Sequence, residues 1–259
     1  MENYIGVLDS GVGGLSILAE LTKIMPNQNF LFFGDTLNMP YGTKSPNEIY
    51  NLTKNILDFF LKKGIKVAVF ACNTTSAVAY DKLKEDYNGK LKIFPLIQTC
   101  AKGFVSGLND NDTIAVMATK ATVNSGKYNE VINELNPKIK VVGIDCTGFV
   151  EIVENRLYND PDSIELIKQK LEIIKTIKAK RAILGCTHYP YLIDIFKKYL
   201  PEIEYFNPAK CLSETVKKET NMLSGKGDKV FCVTKDPEQF RLSAKTFFNI
   251  QSKINLINL

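Results

Sequence analysis

The sequence predicts an α/β fold in which a parallel sheet is covered by helices on both faces. Short apolar runs alternate along the chain with stretches of helical periodicity, and this alternation is typical of βα units. The apolar runs are bounded by glycine, proline and small polar residues, as buried strands usually are. With 259 residues, the chain has room for one large domain or two small ones. An eight-fold βα barrel also fits this length and is the structural alternative.

The first half of the chain contains four predicted strands and the helices that follow them. The strands are expected at residues 4–8, 30–33, 67–71 and 92–97. Helices are expected at residues 15–25, 46–63 and 76–87. The second of these helices has the clearest beginning, because Ser45 is a good N-cap, Pro46 suits the first helical position and Glu48 completes a capping box.

The second half of the chain repeats this alternation. Strands are expected at residues 113–118, 139–144, 182–184, 203–206 and 230–233. Helices are expected within 119–135, at 149–157, 161–178 and 191–201, in a segment that ends at Leu223, and from Pro237 onward. Between the last two strands, Asn207 and Pro208 mark a return of the chain between domains.

Composition and charge exclude several classes of protein. Hydrophobic residues make up 45% and charged residues 24% of the chain, as in ordinary globular proteins. The net charge of +5 comes from scattered lysines, so we expect no nucleic-acid partner. The chain shows neither a leader pattern nor an apolar run of membrane length, and we expect a cytoplasmic protein without a membrane partner.

The six cysteines and the single histidine are dispersed along the chain. None of the cysteines forms a Cys-x-x-Cys pair, so we expect free thiols and no disulfides. One histidine with distant cysteines does not give the local spacing of zinc ligands, and we predict no metal site.

A glycine-rich loop follows the first predicted strand. Residues 9–14, Asp-Ser-Gly-Val-Gly-Gly, partly match a dinucleotide fingerprint, and a nicotinamide dehydrogenase is therefore one alternative. The match is weak, because Ser16 occupies the position of the third small residue. Asp9 and Ser10 also stand at the strand end, where their side chains are available for chemistry.

Two cysteines end separate predicted strands in the same manner. Cys72 precedes Asn73 and Thr74, and Cys186 precedes Thr187 and His188. In a parallel α/β protein, ligands lie at the carboxyl ends of strands, and Thr119 and Cys146 also fall there. Two thiols on opposite sides of one carbon can remove a proton from one face and deliver a proton to the other, and they exchange these roles when the reaction runs in reverse. The simpler interpretation is that Cys186 is a small buried apolar residue and that His188 has only a structural role.

Four motifs, in the same order and with the same spacing, resemble those of the bacterial glutamate racemases. They occupy residues 5–14, 33–42, 71–74 and 184–190. The resemblance covers essentially the whole chain and implies a cofactor-independent, homodimeric enzyme that interconverts L- and D-glutamate and supplies D-glutamate for peptidoglycan. It also implies two similar doubly wound parallel-sheet domains with the active site between them. The first domain would comprise residues 1–96 plus 207–259, so that the C-terminal segment completes it, and the second 97–206.

The resemblance also implies roles for individual residues. Cys72 and Cys186 would be the acid and base thiols, Asp9 would assist Cys72, and His188 and Glu154 would assist Cys186. The expected substrate-binding residues line these loops: Asp9, Ser10, Tyr41, Gly42, Asn73, Thr74, Thr187 and His188. Without pyridoxal phosphate, loop N–H groups and hydroxyls would have to hold the carboxylates and disperse charge.

The sequence departs from the family pattern at a few positions. Thr147 and Glu151 stand where family members usually carry proline, and Gln98-Thr99 stands where Glu-Pro is common. Glu151 lies about one helical turn before Glu154, so either glutamate could assist Cys186. A racemase for aspartate or a hydantoin, and a non-catalytic amino-acid-binding protein, are the functional alternatives.

Overall fold

The computed structural model describes residues 1–220 and 225–259, and the described strands form two separate parallel sheets. All of their pairings are parallel. The strands are β1 Tyr4–Asp9, β2 Asn29–Gly34, β3 Val67–Phe70, β4 Lys92–Pro95, β5 Thr113–Ala118, β6 Lys140–Asp145, β7 Arg181–Gly185, β8 Glu204–Phe206, β9 Lys229–Val233 and β10 Ile254–Leu256.

Helices follow most of the strands. They are α1 Leu15–Ile24, α2 Pro46–Lys62, α3 Asn73–Val78, α4 Tyr80–Asp86, α5 Leu96–Val105, α6 Lys120–Asn124, α7 Lys127–Leu135, α8 Phe149–Glu154, α9 Pro161–Thr176, α10 Ile193–Tyr199, α11 Pro208–Glu219 and α12 Pro237–Ala244. Short 3-10 helices occupy Tyr41–Thr43 and Tyr189–Leu192. Within the described ranges, none of these helices is both long and apolar enough to cross a membrane.

The strand orders confirm the prediction of two doubly wound domains. The first sheet has the order β10-β9-β2-β1-β3-β4 and the second the order β6-β5-β7-β8. The C-terminal strands β9 and β10 therefore complete the first sheet. The chain passes from the first sheet to the second through α5 and returns through α11. The barrel alternative is wrong, because the strands form two open sheets and not one closed cylinder.

Local sequence signals explain how several helices begin. The Ser45 hydroxyl accepts the N–H of Glu48, whose carboxylate accepts the N–H of Ser45, so the expected capping box is present. Asp160 and Asn207 cap α9 and α11 in the same way, each through a side-chain oxygen. These caps satisfy N–H groups that the first helical turn leaves free, and they fix where the helix starts.

Other expectations were wrong in their bounds. The helix expected at 76–87 is two helices, and the first begins at Asn73 because the Cys72 thiol caps it. The expected helical segment 119–135 is divided by Gly126, which adopts a left-handed conformation. Strand β10 was not predicted. The expected helix end at Leu223 lies outside the described residues.

Candidate active site

Asp9 ends β1 in the centre of the first sheet. One carboxylate oxygen, Oδ2, accepts the N–H groups of Gly11 and Gly14 at 3.2 and 2.9 Å. Burial raises the pKa of the Asp9 carboxyl, and the nearby charge of His188 and the backbone N–H groups oppose this rise only in part. Two N–H groups of the glycine-rich loop thus bind a carboxylate of the protein itself.

Cys72 follows β3, the strand next to β1. Its thiol caps α3 by accepting the N–H of Thr75 at 3.4 Å. Burial and the neighbouring Asp9 carboxylate raise the pKa of Cys72 to about 12, although the Thr75 N–H opposes this rise. The first domain therefore offers a thiol next to a buried carboxyl group.

Cys186 follows β7 of the second sheet and belongs to a chain of three side chains. Its sulfur lies 3.7 Å from Nδ1 of His188, and Nε2 of the same ring lies 3.0 Å from Oε1 of Glu154. Burial disfavours the imidazolium, but the contacts with Cys186 and Glu154 outweigh burial and raise the pKa of His188 to about 10. The second domain therefore offers a thiol next to a histidine whose charged form is favoured by its two partners.

Both thiols line one cavity between the two domains. The cavity is narrow, and Cys72 and Cys186 are only 5% and 8% exposed. The lining residues are Asp9, Ser10, Gly11, Met39, Pro40, Tyr41, Gly42, Cys72, Asn73, Thr74, Thr119, Val150, Glu154, Cys186, Thr187 and His188. A small ligand in this cavity would have a thiol from each domain beside it.

A sequence model described as Asp/Glu/Hydantoin racemase matches residues 8–215. The chain belongs to this racemase family. Curated relatives named glutamate racemase include one from Carboxydothermus hydrogenoformans, 36% identical over 92% of this chain and 89% of the relative. Another, from Picosynechococcus sp., is 33% identical over 100% of this chain and 93% of the relative.

Solved structures of the family have the same fold. The crystal structure of glutamate racemase from Francisella tularensis subsp. tularensis, in complex with D-glutamate, matches with a TM-score of 0.91. Its sequence is 30% identical, and the match covers 100% of this chain and 98% of the other. The two-domain arrangement described above is therefore that of the family.

Every residue that the sequence analysis assigned to the site of this racemase-family protein lines the cavity between the two domains. Glu151 and Glu154, the two candidates for the glutamate that assists Cys186, occupy different positions. Glu154 makes the hydrogen bond to Nε2 and lines the cavity, whereas Glu151 is exposed on α8. The geometry thus brings Glu154, and not Glu151, to the histidine.

The sequence did not assign five of the lining residues to the site: Gly11, Met39, Pro40, Thr119 and Val150. Thr119 directly follows β5, and the sequence had indicated this position at a strand end without assigning Thr119 a role in the site. Its hydroxyl lies 3.1 Å from that of Thr74 and 3.1 Å from that of Thr122. The Thr74 and Thr122 hydroxyls are 3.2 Å apart, so three hydroxyls form a closed triangle across the domain interface.

The glycines of the first loop allow the two domains to approach each other. A Cβ atom on Gly13 would lie 2.4 Å from Thr187 Oγ1 and 2.5 Å from the His188 ring. Because these glycines make room for protein side chains, and because Asp9 occupies the loop N–H groups, the loop has no features of a phosphate cradle. The dehydrogenase alternative loses its only support.

One polar group in the cavity wall lacks a partner. The Asn73 amide oxygen accepts the hydroxyl of Tyr128 at 2.7 Å, while its Nδ2 group is buried with no hydrogen-bond partner in the described part of the chain. A buried donor without a partner is costly unless a ligand or water uses it. Asn73 therefore offers a donor to a bound anion.

Across residues 1–220 and 225–259, no cluster of three potential metal ligands occurs.

Proposed function

We propose that this protein is a glutamate racemase that interconverts L- and D-glutamate without a cofactor. One observation carries the proposal: thiols from both domains line a single cavity, and each has a different partner behind it. Racemisation needs a proton removed from one face of the α-carbon and another delivered to the opposite face. Two groups on opposite walls do this without moving the substrate.

In each direction of the reaction, we assign one thiol as the base and the other as the acid. In one direction Cys186 acts as a thiolate beside the His188 imidazolium and removes the Cα hydrogen. Glu154 holds the imidazolium through the bond at Nε2. Cys72 then delivers its proton to the opposite face, and a proton from solvent returns to the resulting thiolate by way of the neighbouring Asp9 carboxylate. In the other direction the thiols exchange roles.

The carboxylates of glutamate would be held by neutral donors in the cavity wall. Asn73 Nδ2 is free to donate, and the hydroxyls of Thr74 and Thr119 can turn from each other toward a ligand. We assign the remaining contacts to the loop residues Ser10, Tyr41, Gly42 and Thr187. Fixed donors in a site closed to water stabilise charge that spreads from Cα into the α-carboxylate.

The likeness to glutamate racemases supports glutamate as the substrate, and the Francisella tularensis relative was solved with D-glutamate bound. The test is the initial rate of racemisation of L-glutamate, D-glutamate, L-aspartate and a hydantoin, measured by circular dichroism without added pyridoxal phosphate. We expect the glutamate enantiomers to react fastest. A faster reaction of aspartate, or a strict need for pyridoxal phosphate, would reject the proposal.

A matched set of cysteine variants separates catalysis from binding. Cys72→Ala and Cys186→Ala should each lose at least about 1,000-fold in rate, because each removes one of the two proton-transfer groups. Cys232→Ala is the control, since Cys232 is also buried but packs in the hydrophobic core of the first domain. A non-catalytic binding protein would show no racemisation that either substitution could abolish.

We further propose the biological setting and assembly that the resemblance implies. The enzyme would supply D-glutamate for peptidoglycan, act in the cytoplasm and form a homodimer. The six free thiols are consistent with a reducing compartment. We place the domain boundaries at 96/97 and 206/207, close to where α5 and α11 lead between the sheets. Sedimentation tests the dimer, and rescue of a strain that requires D-glutamate tests the supply.

A further inference from the structure

Two helices carry the chain between the domains, and they pack against each other. Helix α5 leads from β4 in the first sheet to β5 in the second, and α11 leads from β8 back to β9. Any change in the angle between the domains must therefore involve these two helices. Each of them carries one cysteine, Cys100 on α5 and Cys211 on α11.

Cys100 and Cys211 lie next to each other where α5 packs against α11, and each thiol shifts the pKa of the other. The helices approach closely at this point, because a Cβ atom on Gly103 would lie 3.1 Å from the sulfur of Cys211. Cys100 is fully buried and also lies 3.5 Å from the carbonyl oxygen of Pro208. Cys211 is partly exposed, and among the six cysteines, all within the described ranges, it is the one that is not buried.

We propose that Cys100 and Cys211 are a disulfide-forming site that links the two interdomain helices when the protein meets a small-molecule disulfide. Exchange with a small disulfide is favoured where two thiols are neighbours and one of them is exposed, and Cys100 and Cys211 are such a pair. Neither cysteine lines the cavity that holds Cys72 and Cys186, so the site is separate from the catalytic thiols.

The exchange would proceed in two balanced steps. The thiolate of Cys211 attacks one sulfur of the small disulfide, forms a mixed disulfide and releases one small thiolate. Cys100 then loses its proton to solvent or to the departing group, attacks the sulfur of Cys211 and expels the second small thiolate. Two electrons pass from the protein thiols to the small disulfide. Cys211 is the first nucleophile because solvent reaches it, and the neighbouring Cys100 also lowers its pKa.

The link would restrain the opening of the cavity. Both catalytic thiols are almost buried, so glutamate enters and leaves only when the domains move apart. A covalent bond between α5 and α11 fixes the two connections around which such a movement turns. This consequence rests on the proposed racemase function, whereas formation of the disulfide does not.

The experiment treats the full-length protein with oxidised glutathione and maps its cysteines by mass spectrometry after alkylation. We expect a peptide that joins Cys100 to Cys211 and a loss of about 2 Da, the two thiol hydrogens. Cys232 serves as an internal control thiol that stays alkylated. Glutathione that remains on Cys211 while Cys100 is alkylated, or no reaction at either cysteine, would overturn the proposal.

A rate measurement tests the restraint separately. We expect the oxidised wild type to lose about tenfold in glutamate racemisation, with full recovery in dithiothreitol. Cys211→Ser and Cys100→Ser, treated identically, should keep their rates, and they correct for any oxidation of the catalytic thiols. An unchanged rate in the linked protein would refute the restraint. Absence of racemisation before treatment would instead refute the proposed function and leave the mapping result intact.

Discussion

Replacing Glu154 with glutamine tests how the second domain prepares its thiol. The carboxylate of Glu154 accepts a hydrogen bond from Nε2 of His188 at 3.0 Å and helps to raise the pKa of His188 to about 10. A hydrogen bond to a charged group contributes about 1.5–3 kcal/mol, and one pKa unit corresponds to about 1.4 kcal/mol. Loss of the charge should therefore lower the pKa of His188 by about one to two units.

The assay is the pH dependence of kcat/KM for racemisation of glutamate. His188 is charged below its pKa, so activity that depends on the imidazolium is lost as pH rises through that value. In the Glu154→Gln variant we expect the alkaline limb to begin about one to two pH units lower than in the wild type.

Glu151→Gln is the matched control for this measurement. It makes the same chemical change on the same helix, but Glu151 is exposed and lies outside the cavity. We expect the wild-type profile from this variant. An equal displacement in both variants, or no displacement in Glu154→Gln, would refute the role given to Glu154.

Three further predictions follow from the site. Gly13→Ala should slow racemisation at least about 100-fold with an unchanged far-UV circular dichroism spectrum, because its Cβ would displace Thr187 and His188; a wild-type rate would contradict this packing. Asp9→Asn should bring the thiol titration of Cys72, followed by ultraviolet absorbance, to lower pH, because burial and the charge of Asp9 together raise the pKa of Cys72 to about 12 and the variant removes that charge. The same variant should racemise about 10–100-fold more slowly, and an unmoved titration would show that burial alone sets that pKa. His188, whose pKa rises from 6.5 to about 10 on folding, should contribute stability that is complete below pH 6.5 and lost as pH rises through about 10. Thermal melts should show this decline in the wild type and a smaller one in His188→Gln, and equal declines would argue against it.

Local sequence predicted those parts of the fold that depend on local chemistry. The start of α2 after Ser45 and the strands that end at Asp9 and Phe70 follow from caps and apolar runs, which act over a few residues. Strand β10 could not be predicted in this way. It has only three residues with asparagine in the middle, and it exists because β9 offers it an edge.

The same distinction applies to the site. Asp9, Cys72 and Cys186 were found because each stands at or just after the end of a strand, and parallel strands bring their ends together. Val150 gave no such signal, because it lies on α8 and reaches the cavity through the packing of one domain on the other. The choice between Glu151 and Glu154 was also undecided in sequence, because only the position of the His188 ring distinguishes them.

Isotope exchange tests the pairing of Cys72 with Cys186 most directly. L-glutamate is racemised in heavy water, and the Cα hydrogen content of substrate and product is followed by mass spectrometry before equilibrium. With one thiol on each face, we predict that newly formed D-glutamate carries solvent deuterium while the remaining L-glutamate keeps its own hydrogen. Early D-glutamate that retains the substrate's hydrogen would mean that a single group returns the same proton, and the account would be wrong.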